Sequence, residues 1–214
     1  IAHSRSMGRH LAPPAFHTFD PCRISPKLLF ESIISSCHGN HESLLEKIGS
    51  FGTAPELKDG HPPKIDSANL LLISSLDWQK DGSAPVPLDR GHSRERLGRF
   101  PSNDGNAIEY LIQYTAPDNG SVTLLDLLIK LARGLGKEAI GSTEFSQGKG
   151  GIELLGWLDI EEVNALKTEI ERGLWSVSSE EPLDGGVQDA FRHLLVILRA
   201  AIRRKCGILM RRHS

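Results

Sequence analysis

Between Asp184 and Gly207, apolar residues recur at Val187, Phe191, Leu194, Leu195, Leu198, Ala201 and Ile202. Spacings of three and four over about five turns describe one long helix with a single buried stripe. Such a stripe needs an apolar partner surface, so the chain must supply other elements that pack against it. Asp184 precedes the helix, and Gly207 is expected to end it as the residue just past the C-cap.

This helix spans a sharp change in charge. From Gly151 to Asp189 there are ten acids and only two bases, Lys167 and Arg172. From Ala190 to Ser214 there are seven bases and no acid. The net charge of −2 over 214 residues therefore conceals two opposed segments, and it excludes a uniformly basic nucleic-acid coat. At 39% hydrophobic and 24% charged residues, the composition is that of a globular protein with a substantial core.

Other helices are legible from their caps. Ser25-Pro26 reads as an N-cap followed by proline at the first helical position, with Leu28, Leu29, Ile33 and Ile34 carrying the helix to Cys37. Asn40 is expected to cap a second short helix through Leu44, Leu45 and Ile48, ended by Gly49. Asn103-Asp104 precede a helix bearing Ile108, Leu111 and Ile112, and Ser121 or Thr123 precedes one bearing Leu124, Leu125, Leu128, Ile129 and Leu131. Asp159-Ile160-Glu161-Glu162 has the form of a capping box, followed by Val163, Leu166 and Ile170. Leu70 to Ile73 is a short continuous apolar run, expected to be a buried strand. Ile152 to Trp157 reads as a second strand, after a polar, glycine-rich loop from Gly141 to Gly151.

The expected architecture is mainly α, an irregular helical bundle with a minor β element. The alternative is an α+β fold with a small two- or three-stranded sheet in which Leu70–Ser74 pairs with the 152–157 strand. Residues 1–24 read as irregular because of Pro13, Pro14 and Pro21, and 25–214 as one helix-rich domain, any subdivision falling near 77–102. Met7-Gly8 reads as a start, so the six residues before it are set aside.

Five groups of residues carry candidate chemistry. Cys22, Cys37, His38 and His41 are zinc-ligand types, but no CxxC supports them and their spacing is poor, so no metal is expected. Arg94, Arg96 and Arg99 lie in a glycine-containing loop that suits an anion. His92 and His193 are the candidate acid/base residues, without a nucleophile elbow nearby. Neither Gly134-Leu135-Gly136-Lys137 nor Gly148-Lys149-Gly150-Gly151 fits a phosphate loop, and no cofactor is expected. The acidic set Glu161, Glu162, Glu169, Glu180, Glu181 and Asp184 suits a basic partner.

The functional expectation is a non-catalytic interaction or inhibitor protein, of the kind a bacterial immunity protein represents, masking a basic partner protein with its acidic surface. One alternative is an enzyme acting on a phosphorylated or nucleic-acid substrate. Another is nucleic-acid binding through Arg203, Arg204, Lys205, Arg211 and Arg212. Three cysteines are too few for a secreted disulfide framework, which points to the cytoplasm. The best apolar run, Leu194 to Ile202, is too short for a bilayer and contains Arg199, so no membrane is expected.

Overall fold

In a computed structural model, residues 16–49, 57–88, 90, 105–118 and 122–213 are described. The helix stripe is present as expected. It belongs to α8 (Gly186–Arg204). Before it come α1 (Pro26–Cys37), α2 (Glu42–Ile48), α3 (Ser67–Ser75), α4 (Ala107–Tyr114), α5 (Val122–Arg133), the single turn α6 (Lys137–Ile140) and α7 (Ile160–Arg172). The strands are β1 (Phe16–Cys22), β2 (Thr115–Pro117), β3 (Gln147–Gly148), β4 (Ile152–Leu158), β5 (Trp175–Val177) and β6 (Gly207–His213).

The fold is α+β, which corrects the expected mainly α bundle. Four antiparallel strands form a sheet in the order β1-β6-β4-β3, and β2 pairs with β5 in a separate ribbon. The alternative expectation has one strand right, since 152–157 lies in β4, and its partner wrong, since Leu70–Ser74 is helical and β4 pairs with β6 instead. Asp66 caps α3 by accepting a hydrogen bond from the Asn69 amide at 3.0 Å. Leu70, Leu71 and Leu72 are all buried, so the run is continuous because this helix is enclosed on most sides.

The main sheet divides two apolar cores. Side chains alternate across a strand, and in β6 Ile208 and Met210 enter one core while Leu209 enters the other. The first core joins them to Phe19 and Leu158 and to α4, α5, α7 and α8; the second joins Leu209 to Leu154, Trp157, α1, α2 and α3. The result is three layers, with helices on both faces. A strand buried on both faces loses the polar alternation that marks a half-exposed one. For that reason Ile208-Leu209-Met210 carries no strand signature in the sequence, where Gly207 has only the look of a helix stop.

Gly207 has a different task. The left-handed residue that ends α8 is Lys205, at φ 55°. A Cβ on Gly207 would lie 2.4 Å from the Leu158 carbonyl oxygen, so glycine is required by close strand packing.

Strand β1 corrects the expectation of an irregular segment over residues 1–24, which rests on Pro13, Pro14 and Pro21. It is an edge strand, and Pro21 faces outward: its carbonyl accepts from the Asp77 amide at 3.0 Å, on the side away from β6. The missing N–H points the same way, so no ladder bond is lost. Phe19 likewise accepts from Leu88 at 2.9 Å.

His17 lies opposite Arg212 in this pairing and is buried, with no hydrogen-bond partner for Nδ1 among the described residues. Burial, with the Arg212 charge adding to it, pushes its pKa down to about 4. Folding therefore excludes a proton that the unfolded imidazole accepts near pH 6.5. Stability from this site is complete above that value and is lost as pH falls toward 4, by on the order of 3 kcal/mol. Urea titrations from pH 7 to 4 are expected to show this loss, and His17→Gln should reduce it.

Candidate functional site

The capping box forms as the sequence predicts, and it consumes one of the proposed partner-binding acids. Glu162 accepts from the Asp159 amide at 2.9 Å and from Lys130 Nζ at 2.6 Å. The same ammonium lies 4.5 Å from the Trp157 ring centroid. Glu169 pairs with Arg172 at 3.0 Å. Glu181 accepts from the Tyr110 hydroxyl at 2.8 Å and from the Val187 amide at 2.6 Å, closing the start of α8 over a buried tyrosine. Desolvation, then the neighbouring carboxylate, raises the Tyr110 pKa and keeps it a donor.

Glu161, Glu180 and Asp184 are exposed. Glu161 lies in the first turn of α7, while Glu180 and Asp184 belong to the segment between β5 and α8. Three of the six acids, Glu162, Glu169 and Glu181, are thus engaged within the protein. In the segment that joins α7 to α8, Leu174 and Leu183 are 52% and 40% exposed, and Glu180 and Asp184 belong to the same segment. Trp175 ties this segment together. Its indole donates to Ile170 at 3.1 Å and its ring lies 4.5 Å from Phe191 on α8. Strand β5 is held by β2, and Asp118 donates to the Leu174 carbonyl at 2.9 Å.

The opposed charge segments meet at a few points. Arg199 reaches Glu171 at 3.0 Å, and Arg212 pairs with Glu153. Lys167–Glu171 and Arg192–Asp189 are local helix pairs at 2.6 Å and 3.0 Å. Exposed pairs of this kind contribute at most about 1 kcal/mol each. Arg203, Arg204 and Lys205 are exposed at the end of α8, whereas Arg211 and Arg212 lie in β6 against Asp20 and Glu153. The basic tail is thus divided between two places.

The cysteine and histidine candidates do not converge. Cys22 is buried, donates to Ile24 at 3.2 Å, and has its thiol pKa raised chiefly by burial. Cys37 contacts the Ser67 hydroxyl at 3.4 Å. His38 is exposed, its Nδ1 bonded to the Ile34 carbonyl at 2.8 Å. His41 is buried. Its Nε2 faces the carbonyls of Lys58 and His61 at 3.0 Å each, so that nitrogen carries the proton and Nδ1 accepts from Ser36 at 2.7 Å. It fastens the 57–61 segment to the α1–α2 hairpin. Among the described residues no three His, Cys, Asp or Glu side chains form a metal cluster. His193 lies 3.6 Å from Asp189 one turn away on α8. His92, Arg94, Arg96 and Arg99 fall outside the described residues.

The glycine-rich loop before β4 is clamped to α3. Asp66 accepts from the Lys149 amide at 3.1 Å, and Asn69 donates to the Lys149 carbonyl at 3.2 Å. A cleft of about 500 Å³ nearby includes Arg133, Lys137, Glu138, Ser146 and Glu153. A larger one, about 700 Å³, includes Arg23, Asp77, Trp78, Lys80, Asp81 and Arg204. No sequence pattern marks this second cleft, because its residues come from three distant segments.

No protein-family model, curated protein or solved structure matches the chain. Among the described residues, no helix is long and apolar enough to cross a membrane.

Proposed function

We propose that this protein works by binding another protein, using the end of the α7–α8 pair as its contact surface and a basic patch on the partner as the target. The observation that carries the reading is the exposure of Leu174 and Leu183 in the same α7–α8 connecting segment as the exposed Glu180 and Asp184. Apolar anchors supply contact energy once desolvated, and acids around them orient a basic partner and raise its association rate. The loop is held in place before binding by Glu181, which keeps down the entropic cost of ordering it. An inhibitor of the toxin-neutralising immunity type is the narrowest form of this reading.

The test uses the full chain immobilised against lysate of its source cells. A basic protein should be captured at low salt, released at high salt, and lost from a Glu180→Lys/Asp184→Lys variant and from a Leu174→Ser/Leu183→Ser variant. If both folded variants capture the same protein as the unaltered chain, this surface is not the contact. Co-production of the captured protein tests the inhibitory form, since protection of cell growth should disappear with the same substitutions.

A further inference from the structure

The cleft of about 700 Å³ lies between the end of β1, the turn after α3 and the end of α8. It is open to solvent, and its volume falls in the range of small-molecule sites. Three cations from separate parts of the chain line it, namely Arg23, Lys80 and Arg204, against two carboxylates, Asp77 and Asp81. Both carboxylates have partners within the protein. Asp81 accepts from the Ser83 amide at 2.9 Å and the Ser83 hydroxyl at 2.6 Å, and Asp77 lies 3.7 Å from Arg23. Arg204 is positioned by a bond to the Val86 carbonyl, which takes one of its five donors. Lys80 is exposed.

The wall also holds Trp78, whose indole N–H donates to the Ile73 carbonyl at 2.7 Å. That bond fixes the ring in the wall of the cleft without using its π-face. A fixed aromatic beside a cluster of guanidinium and ammonium groups matches a ligand with a planar ring and an anionic group. We infer that this cleft binds a nucleoside monophosphate, with the base against Trp78 and the phosphate between Arg23, Lys80 and Arg204. The acidic surface described above has no part in this binding.

Calorimetric titration of the full chain with AMP, GMP, CMP and UMP tests the inference, with adenosine and inorganic phosphate as the two halves of the ligand. At least one nucleotide should bind saturably, more tightly than either half. Lys80→Glu and Trp78→Leu are each expected to weaken it by about tenfold or more, while Glu180→Lys/Asp184→Lys leaves it unchanged. In an amide correlation spectrum, the Trp78 indole signal should shift on binding more than those of Trp157 and Trp175. Absence of saturable binding at about 1 mM nucleotide overturns the inference. So does binding of phosphate as tight as that of the nucleotide, binding of an oligonucleotide alone, or full retention of affinity in folded Lys80→Glu.

Discussion

Gly156→Ala is expected to destabilise the fold by about 3 kcal/mol or more, because the added methyl meets main chain and not movable side chains. A Cβ at this position would stand 2.0 Å from the Lys130 carbonyl oxygen and 2.5 Å from that of Leu131. Helix α5 is laid directly on β4 there, and the Leu135 amide donates to the Leu155 carbonyl at 2.8 Å. The β4–β6 register also shifts between Leu154 and Gly156, so the strand bends at the contact. Relief requires α5 to lift from the sheet, which opens the core that Leu127, Leu128 and Leu131 fill. Gly60→Ala is the comparison. Gly60 sits at φ 77° with open space around it, so that substitution carries backbone strain alone, about 1 to 2 kcal/mol. Urea unfolding of the two variants separates collision from strain. Equal midpoints would mean that α5 and β4 are not in this close contact.

Asp20→Ala is expected to cost about 3 kcal/mol. Asp20 is buried, on the sheet face that also carries Leu209, and its carboxylate receives the Arg211 guanidinium. That guanidinium is only partly exposed and also contacts His213. Removing the carboxylate leaves a largely desolvated cation without its counter-charge. Replacing both members with apolar residues, as in Asp20→Leu/Arg211→Met, should recover most of the loss, since a well-packed apolar pair matches a buried ion pair in stability. A double-mutant cycle by chemical denaturation measures the coupling. If Asp20→Ala alone is neutral, the pair is not desolvated as the structure has it.

Much of the helical content was legible because its signals are local. Ser25-Pro26, Asp159 with Glu162, and the stripe from Val187 to Ile202 each lie within a few turns of the element they specify. The error at α3 was also local in origin. An apolar run says that a segment is buried, and only the Asp66 cap and the surrounding helices make it helical. The central sheet could not be read in this way. Its β1–β6 pairing joins Phe16 to His213, across nearly the whole chain, and neither strand shows simple alternation.

The candidate sites divide along the same line. The sequence located the acidic segment but not which acids face solvent. Glu181 looks identical to Glu180 until Tyr110 and the α8 amide are brought to it, and the capping box that marks Glu162 gives no sign of Lys130. The cleft of Arg23, Trp78, Lys80 and Arg204 has no sequence signature at all, since it is assembled from segments up to 181 positions apart.

By itself the sequence determined the starts of α1 and α7, the long buried stripe of α8, and the segregation of acids from bases. These follow from backbone capping and from side-chain spacing along a single segment. The tertiary structure decided that a sheet divides the core in two, which charges neutralise one another, and which polar groups share a cleft. Those outcomes depend on contacts between segments distant in the chain, and no local pattern encodes them.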